Sequence, residues 1–432
     1  MFVQGNMDVG QNGNLTIGGQ DAVELAGRYG TPLYVMDEDI IRENCAAFRQ
    51  SMETYYGGKG LVAYASKAFS CKEIYRIVGD EGLGIDVVSG GELYTAISAG
   101  FDPAKVFFHG NNKTVEELRY ALECGVGYLV VDNLAELETL NQLAKTAGRR
   151  ARVLFRIKPG IDAHTHNFIR TGQIDSKFGF ALETGEALKA IAMAKETPFL
   201  EYLGMHCHIG SQIFDIAPFV AAAEVMVRFM GQVKRELGLE TRVLNLGGGF
   251  GIRYVQDNNP APFAEYMRQV SAQVKITAAE AGVDTPFIVI EPGRSIVGAA
   301  GTTLYTVGAV KEIPGIRTYV SVDGGMTDNP RYILYQSEYD MLVANRAGEP
   351  KAQTVTVAGR CCESGDLLGE NVPLQKAQPG DILAVCATGA YNYSMASQYN
   401  RVGRPAVVML RGGESRVVVR RETYEDLVRC DL

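Results

Sequence analysis

Two neighbouring stretches, LVAYASKAFS at residues 61–70 and LGIDVVSGGE at residues 83–92, decide how the fold is interpreted. Each begins with a short apolar run of the kind found in β-strands, and each run ends in polar residues. The first run ends on Lys67, and the second ends on Ser89 and two glycines. A charged amine at the carboxyl end of a buried strand is costly unless the protein uses it. Lys67 is therefore our candidate for the centre of the chemistry.

The same alternation continues along the chain as far as residue 293. Eight short apolar runs occur, at residues 61–67, 83–89, 105–110, 128–133, 151–157, 200–210, 242–248 and 286–293. Segments with the apolar period of a helix separate them, as at 114–124, 134–147, 185–195, 218–237 and 262–281. Strands that alternate with helices indicate a parallel sheet. Eight consecutive units favour a closed (β/α)8 barrel over an open, doubly wound sheet.

The two ends of the chain have a different pattern. After residue 297, long helical patterns are scarce and β-rich pieces occur at 302–310, 317–323, 352–359, 381–387, 406–411 and 414–421. Near the N-terminus, strand-like pieces at 14–17 and 32–36 flank a helical pattern at 21–29. We predict a barrel over residues 37–299. We also predict a mostly antiparallel β-barrel or β-sandwich formed by residues 1–36 and 300–432.

Composition narrows the class of function. The 432 residues are 46% hydrophobic and 21% charged, as is usual for a globular protein, and the net charge of -8 gives no reason to expect nucleic acid. No apolar run approaches the roughly 20 residues of a membrane span, and the N-terminus lacks the features of a signal peptide. Eight cysteines without a C-x-x-C pair are typical of reduced thiols, so we expect a cytoplasmic protein.

Ionisable and polar residues collect where the predicted strands end. In a (β/α)8 barrel the carboxyl ends of the strands form the active site. The residues at these ends are Lys67, Asp86, His109, Arg156, His206, His208, Ser211, Glu291 and Arg294. Their position at one end of each run predicts a single site at one rim of the barrel.

Two loops near this rim are suited to phosphate. The GGGFG sequence at 247–251 and the EPGR sequence at 291–294 follow the seventh and eighth runs, where barrels often bind phosphate. Glycines allow backbone N–H groups to approach phosphate oxygens, and Arg294 adds a charge-assisted donor. The loop is not a dinucleotide fingerprint, because Ile252 and Tyr254 fall where the third glycine is needed. A simple tight turn is the alternative for GGGFG.

A lysine and a phosphate site in one barrel mouth suggest pyridoxal phosphate. Lys67 would form a Schiff base with this cofactor. Glu291 could pair with the pyridine nitrogen and keep it protonated, and His208 could stack on the ring. Each residue could instead be a satisfied polar group at a strand end, but together they fit one ligand.

Metal binding is the alternative for the histidines and cysteines. His206, Cys207 and His208 form one possible ligand set, and Cys361 with Cys362 forms another. His164 and His166 lie in a loop that could bind a metal or the substrate. A zinc site usually has two separated ligand clusters with known spacing, so we favour the cofactor site and predict no metal.

The motifs taken together resemble a known family. YASKA, DVVSGGEL, HIGSQ, LNLGGGFGI, EPGRS, CCESGD and GAYNYSMASQYN occur in this order over nearly the whole chain. This set resembles the fold-type III, alanine-racemase-like pyridoxal-phosphate decarboxylases. PGIDAHTHNFIRTG, followed by KFGF, is similar to the diaminopimelate branch rather than the ornithine branch. The resemblance implies decarboxylation of meso-2,6-diaminopimelate to L-lysine and CO2, the last step of bacterial lysine biosynthesis.

The resemblance also implies a role for each matching residue. Lys67 would be the Schiff-base lysine, and Cys362 would donate a proton from the partner subunit of a homodimer with shared active sites. The residues that would contact the cofactor are Lys67, Asp86, His208, Ser211, Gly248, Glu291, Pro292, Gly293, Arg294 and Tyr391. The residues that would contact the substrate are Arg294, Arg331, Tyr335, Glu363 and Tyr391.

The residues expected to contact the substrate favour diaminopimelate decarboxylation over the alternative functions. Glu363 suits a distal ammonium group, whereas Arg331 and Tyr335 suit a distal carboxylate. A decarboxylase for ornithine, lysine, arginine or carboxynorspermidine would leave Arg331 unpaired. A racemase would be expected to have a tyrosine base where this chain has CCESGD, and a non-catalytic cofactor-binding barrel would lack the second domain.

Overall fold

The computed structural model describes residue 2 and residues 4–161 and 176–432. The chain divides into two compact units. The first, which we call the β unit, comprises Met1–Glu43, Ile252–Asn259 and Arg294–Leu432, and the second, the barrel unit, comprises Asn44–Gly251 and Pro260–Gly293. The domain limits drawn from the sequence, 37–299 for the barrel, stay a prediction. The loop with His164 and His166 lies outside the described residues.

The chain begins with short elements of the β unit. Strands β1 (Met7–Val9), β2 (Leu15–Ile17) and β3 (Gln20–Asp21) form a small sheet. Helix α1 (Ala22–Tyr29) follows and is capped by the Asp21 side chain, which accepts from the backbone of residues 23 and 24. Strand β4 (Leu33–Asp37) is buried along its whole length, and helix α2 (Glu38–Tyr56) follows it.

Eight parallel strands form the closed barrel that the apolar runs predict. They are β5 (Gly60–Ala65), β6 (Gly84–Val87), β7 (Val106–Phe108), β8 (Tyr128–Val131), β9 (Ala151–Lys158), β11 (Leu200–His206), β12 (Val243–Asn245) and β13 (Phe287–Ile290). Pairing of β8 with β9 and of β13 with β5 closes the cylinder. A two-residue strand, β10 (Phe180–Ala181), adds to β9 outside the barrel. The prediction of a closed barrel is confirmed.

Helices connect the barrel strands, as the 3.6-residue period predicts. They are α3 (Lys72–Asp80), α4 (Gly90–Ser98), α5 (Val115–Cys124), α6 (Leu134–Thr146), α7 (Glu186–Lys195), α8 (Ala217–Leu237) and α9 (Phe263–Ala281). Side chains cap several of their N-termini, for example Ser89 before α4, Thr114 before α5 and Asn133 before α6. These local signals explain why the helices begin where the sequence pattern places them.

The interior of the barrel is a packed core. Seven strands each contribute one buried apolar residue to one cluster, namely Ala63, Phe107, Val130, Leu154, Leu203, Val243 and Val289. Side chains that fill the cylinder in this way exclude water from its centre. Polar groups can therefore act only at the ends of the strands.

The rest of the chain completes the β unit. Its elements are α10 (Arg294–Val297), β14 (Gly301–Ile313), β15 (Arg317–Val322), α11 (Arg331–Tyr335), β16 (Met341–Val343), β17 (Gln353–Ala358), β18 (Leu367–Leu374), β19 (Ile382–Cys386), β20 (Ala406–Arg411), β21 (Glu414–Val419) and α12 (Tyr424–Val428). Most pairings are antiparallel, as predicted. N-terminal β4 lies between β14 and β20, which confirms that the N-terminal strands join this sheet. No described helix is long and apolar enough to cross a membrane.

Candidate active site

The barrel unit brings eight of the predicted site residues to the carboxyl ends of its strands. Lys67 lies in a short 3-10 turn, Ser66–Ala68, directly after β5, and Asp86 lies within β6. The others follow the last residues of β11, β12 or β13: His208, Ser211, Gly248, Glu291, Pro292 and Gly293. Because all eight strands are parallel, these residues share one rim.

Glu291, at the end of β13, is a buried carboxylate that accepts three side-chain hydrogen bonds. Its Oε1 accepts from His109 Nε2 at 2.7 Å and from Asn245 Nδ2 at 2.6 Å. Its Oε2 accepts from His206 Nε2 at 3.2 Å. Burial acts to raise the pKa of Glu291, but the two histidines hold this pKa well below its usual range. Glu291 is therefore an anion.

The two histidines beside Glu291 are neutral donors. Burial lowers the pKa of His206 to about 3, and it also lowers the pKa of His109, although Glu291 opposes both shifts. Neutral rings that donate from Nε2 leave Nδ1 as an acceptor, and His206 Nδ1 has no hydrogen-bond partner within the described part of the chain. The negative charge of Glu291 thus suits a cationic group, such as a protonated pyridine nitrogen.

Asp86 is a second buried carboxyl group at this rim. The backbone N–H of Ser66 donates a hydrogen bond to this carboxyl group, but Asp86 Oδ1 is buried and has no hydrogen-bond partner among the described residues. Burial, followed by the charge of Glu291, raises the pKa of Asp86 well above its usual range, and Lys67 opposes this shift. A buried polar atom of this kind marks a position where a ligand can supply the missing partner.

Lys67 occupies the predicted position but not the predicted environment. Its side chain is exposed, so the premise that Lys67 is a costly buried charge is wrong. The turn that carries it is held by the EPG segment, because Ala65 N donates to Pro292 O at 3.0 Å. A Cβ atom at Gly293 would lie 2.8 Å from the Cβ of Ala65, so this close approach requires glycine.

The glycine turn after β12 supports His208. Gly248 N donates to His208 Nδ1 at 3.3 Å, so this nitrogen accepts and the ring is neutral. Burial lowers the pKa of His208 well below its usual range, and Lys67 and Arg156 add to this shift. A Cβ atom at Gly248 would lie 2.1 Å from the carbonyl oxygen of Glu291, which only glycine avoids. The turn therefore presents open backbone beside a neutral, planar ring.

In the β unit, Tyr391 lies between two buried guanidinium groups. Arg294 lies over its ring at 4.8 Å and Arg331 at 5.2 Å, measured from Cζ to the ring centroid. Arg294 Nη1 also donates to the hydroxyl of Tyr254 at 2.5 Å, and Arg331 lies 5.1 Å from the ring of Tyr335. Burial acts to lower the pKa of Arg294, but Tyr254 and Tyr391 hold this pKa above its usual value.

Arg331 retains capacity to bind an anion. It is 8% exposed, and the described residues provide no hydrogen-bond acceptor for its Nε. The side chain of Asn329, two residues earlier, is also buried without a hydrogen-bond partner in that same part of the chain. Guanidinium donors without acceptors are suited to a carboxylate.

Cys362 and Glu363 are exposed and belong to the β unit, whereas Lys67 belongs to the barrel unit. The backbone N–H of Cys362 donates to Asn400 Oδ1 at 2.8 Å, which fixes the loop while the thiol stays accessible. Neighbouring Cys361 is half-buried, and burial followed by the Asp366 charge raises its pKa to about 11. The two adjacent thiols therefore have different environments.

Three residues of the barrel site have contacts that no sequence motif predicted. His109 and Asn245 are the two donors to Glu291 Oε1. The Nε of Arg156 lies 3.9 Å from Asp132 Oδ1, and its Cζ lies 4.2 Å from the ring centroid of Phe178. His109 and Arg156 were noted only as polar residues at strand ends. The sequence could have indicated Asn245, because a polar residue inside the apolar run RVLNLGG must find a hydrogen-bond partner when the strand is buried.

The potential metal ligands group differently from the sets considered in the sequence. Among the described residues, His109, His206 and Glu291 form the group whose ligand atoms lie within 4.8 Å of one another. Neither Cys207, His208 nor the cysteine pair belongs to it. The hydrogen bonds of both histidines to Glu291 account for this proximity.

The barrel residues fit pyridoxal phosphate. The donor set offers an accessible amine at Lys67, a buried anion at Glu291 and a neutral ring at His208. A Cβ atom at Gly248 would fill the space beside the glycine turn. The Oδ1 of Asp86, which has no partner among the described residues, is available to a ligand. An amine, an anion for a ring nitrogen and a glycine turn for phosphate are the groups that this cofactor needs.

Comparison with known proteins agrees with this chemistry. The family profile "Pyridoxal-dependent decarboxylase, pyridoxal binding domain" matches residues 38–298. Diaminopimelate decarboxylase of Bacillus subtilis is 53% identical over 432 residues, which is 100% of this chain and 98% of that protein. The crystal structure of the M. jannaschii diaminopimelate decarboxylase with L-lysine matches with a TM-score of 0.91, at 37% identity over 100% of this chain and 99% of that one. The Helicobacter pylori enzyme with L-lysine has a TM-score of 0.86, at 33% identity over 95% and 98%. The chain therefore belongs to the pyridoxal-dependent decarboxylases, within the diaminopimelate decarboxylase family.

Proposed function

We propose that this chain is a pyridoxal phosphate-dependent enzyme that converts meso-2,6-diaminopimelate to L-lysine and CO2, the last step of bacterial lysine biosynthesis. The observation that carries this proposal is the likeness to diaminopimelate decarboxylases, which extends through both units of the chain. Pyridoxal phosphate, when bound, supplies an electron sink for the electron pair that remains on carbon when CO2 leaves.

The barrel residues would bind and orient the cofactor. Lys67 would hold it covalently through Nζ, because the amine is exposed at the rim. Glu291, a buried anion, would keep a proton on the ring nitrogen. His208 would pack its neutral ring against the cofactor. The cofactor would also supply a hydrogen-bond partner for Asp86 Oδ1. The other residues that would contact the cofactor are Ser211, Gly248, Pro292, Gly293, Arg294 and Tyr391, and Arg294 would supply a charge-assisted donor for its phosphate.

The β-unit residues would select the substrate. Diaminopimelate has an amino-acid group at each end, so the end that does not react presents a carboxylate and an ammonium group. Arg331, together with Arg294, Tyr335 and Tyr391, would bind that carboxylate, and Glu363 would bind the ammonium. Ornithine, lysine, arginine and carboxynorspermidine would leave Arg331 unpaired, which is why we do not favour a decarboxylase for them.

The proton would come from a thiol. When the bond from the D-configured carbon to its carboxylate breaks, that carbon keeps the electron pair and needs one proton. Cys362 of the partner subunit would donate it, and the exposed position of this thiol allows it to reach a neighbouring chain. We therefore also propose a homodimer with shared active sites. The eight cysteines without a C-x-x-C pair support a proposed location in the cytoplasm.

A substrate panel tests the proposal. The purified enzyme with pyridoxal phosphate is incubated with meso-diaminopimelate, ornithine, lysine or arginine, and CO2 release is measured. We expect release from meso-diaminopimelate alone, with L-lysine as the product. Release from ornithine, lysine or arginine at a comparable kcat/KM would contradict the role of Arg331.

A further inference from the structure

Two loops of the β unit carry the residues to which we assign substrate binding and proton donation. The first, GGMTDNPR at residues 324–331, ends on Arg331, and we call it the arginine loop. The second, GRCCESGD at residues 359–366, carries Cys362 and Glu363, and we call it the thiol loop. Neither loop is part of a long regular element, so something other than a ladder of strand bonds must hold each in place.

One buried carboxylate, that of Asp366, bonds to both loops. Its Oδ1 accepts from the backbone N–H of Met326 at 2.6 Å, and its Oδ2 accepts from the backbone N–H of Cys361 at 2.7 Å. Asp366 is 3% exposed. Such short bonds from backbone donors to a carboxylate are strong, and burial strengthens them further. Asp366 therefore cross-links the arginine loop to the thiol loop.

Glycines on both loops make room for this carboxylate. A Cβ atom at Gly359 would lie 2.3 Å from both of its oxygens, and one at Gly325 would lie 2.4 Å from its Oδ1. Any other residue at either position would push the carboxylate away. The thiol loop also closes on itself, because Gly359 N donates to Asp366 O at 2.8 Å. The site for the Asp366 side chain is thus built from both loops.

Each loop has a second anchor, and one backbone bond also joins the loops, because Arg360 N donates to Gly324 O at 2.9 Å. The Asp366 bonds add the link that reaches Met326 and Cys361 from one side chain. Asp328 Oδ1 accepts from Gly325 N at 2.9 Å, and Tyr305 of β14 donates to the same carboxylate, which ties the arginine loop to the sheet. The Cys362 N–H donates to Asn400 Oδ1 at 2.8 Å. Because Asp366 accepts from the amide of residue 361 and Asn400 accepts from the amide of residue 362, the backbone that leads to the Cys362 thiol is held at two successive amides.

We propose that Asp366 is a positioning residue that holds the arginine loop and the thiol loop in one arrangement. It thereby sets the place of Arg331 and that of Cys362 together, without touching substrate or cofactor itself. This inference rests on the function proposed above for those two residues. Loss of the cross-link should therefore impair substrate binding and proton donation at the same time.

The test compares Asp366→Asn with a matched variant. The amide of asparagine has one acceptor oxygen, so it can keep only one of the two backbone bonds, and its NH2 group faces the other N–H. The control is Asp381→Asn, which alters another buried carboxylate of the β unit that accepts from Asn345 Nδ2 at 2.7 Å, Gln378 N at 2.8 Å and Arg346 Nε at 3.2 Å. Both variants lose bonds to a buried carboxylate, and the control also loses an ion pair, but only Asp366→Asn touches the two loops.

We expect Asp366→Asn to raise KM for meso-diaminopimelate and lower kcat, with kcat/KM reduced at least about tenfold. It should also change the rate at which iodoacetamide alkylates Cys362, followed on the corresponding peptide by mass spectrometry. Asp381→Asn should lower the melting temperature and leave these three quantities as in the wild type. Gly359→Ala, which displaces the carboxylate but keeps its charge, should act like Asp366→Asn and serves if that variant does not fold.

Unchanged KM, kcat and alkylation rate in Asp366→Asn or Gly359→Ala would overturn the proposal. Equal effects of Asp366→Asn and Asp381→Asn on these quantities would overturn it as well. The alkylation rate does not depend on turnover, so it separates this inference from the proposed function. A wild-type enzyme that releases no CO2 from meso-diaminopimelate would contradict the function, while the alkylation comparison would still decide the role of Asp366.

Discussion

The buried charge of Glu291 organises the hydrogen bonds of the residues beside it at the barrel rim. His109, His206 and Asn245 all donate to this carboxylate. The two histidines are neutral because burial lowers the pKa of each. Burial lowers the pKa of His206 to about 3, far below the value of about 6.5 that it has in an unfolded chain. The pH dependence of stability should therefore report on this residue.

We predict that the native state loses stability as the pH falls from about 6.5 towards about 3. In this window the unfolded chain binds a proton at His206 and the native protein does not, so acid favours unfolding. His206→Gln keeps an N–H donor for Glu291 but cannot titrate. The difference in unfolding free energy between wild type and variant should change by about 1.4 kcal/mol per pH unit. Urea unfolding at a series of pH values measures it, and a constant difference would contradict the assignment.

The two adjacent cysteines give a second prediction at this scale. Cys362 is exposed, whereas burial and the Asp366 charge raise the pKa of Cys361 to about 11, which makes it a poorer acid. Cys362→Ala should lower kcat at least about a hundredfold, because the proton donor is removed. Cys361→Ala should keep kcat within about threefold of the wild type. Assays of CO2 release compare them, and equal losses would reject our choice of thiol.

Among the structural elements, the glycine turn after β12 depends most directly on local sterics. Gly248 does not need a left-handed backbone, but a Cβ atom there would lie 2.1 Å from the Glu291 carbonyl oxygen. That distance is far inside van der Waals contact, so either the turn or the EPG segment must move. Both contribute to the proposed cofactor site.

We predict that Gly248→Ala weakens binding of pyridoxal phosphate at least about tenfold. Titration of the cofactor-free enzyme, followed by the visible absorbance of the bound cofactor, measures the change. Gly27→Ala is the matched control, because Gly27 lies in α1 with nothing within 4 Å of its Cβ position. It should leave cofactor affinity unchanged and stabilise the helix slightly. Equal affinity in wild type and Gly248→Ala would show that the turn does not hold the cofactor.

The elements themselves were largely predictable, with exceptions that have local causes. All eight barrel strands and the five helices proposed between them occur within a few residues of the predicted bounds. Five strands were not predicted, namely β1, β3, β10, β16 and β18. The first four have only two or three residues, and β18 contains Gly369, Asn371 and Pro373, which favour turns. Asn371 has a φ of 54°, so β18 includes a turn-like residue despite its pairing.

At the scale of the whole molecule, the proposed homodimer makes a mixing prediction. If Cys362 acts in the site of the partner subunit, then Lys67→Ala and Cys362→Ala damage one shared site from opposite sides. Each variant alone should be nearly inactive. After subunit exchange in an equal mixture, half of the dimers are mixed and each contains one intact site, so about a quarter of wild-type activity should return.

CO2 release before and after mixing measures this recovery, and sedimentation gives the oligomeric state. A mixture of Lys67→Ala with Lys67→Arg is the control and should recover nothing. Failure of the first mixture to recover, with dimers present and exchanging, would place Cys362 in the site of its own chain.

The sequence by itself determined the alternation of strands and helices, and hence the barrel, because apolar periodicity is a local property of the chain. It also predicted that polar groups such as Lys67 and Glu291 share one rim, since all parallel strands end on the same side. Only the tertiary structure decided which of these groups meet. His109 lies 182 residues from Glu291 in the chain, and β4 joins a sheet with β14 and β20 far downstream. Such contacts depend on closure of the barrel and on strand register. The same closure brings His109 and His206 to Glu291, where they keep it ionised although it is buried, and it leaves Lys67 exposed.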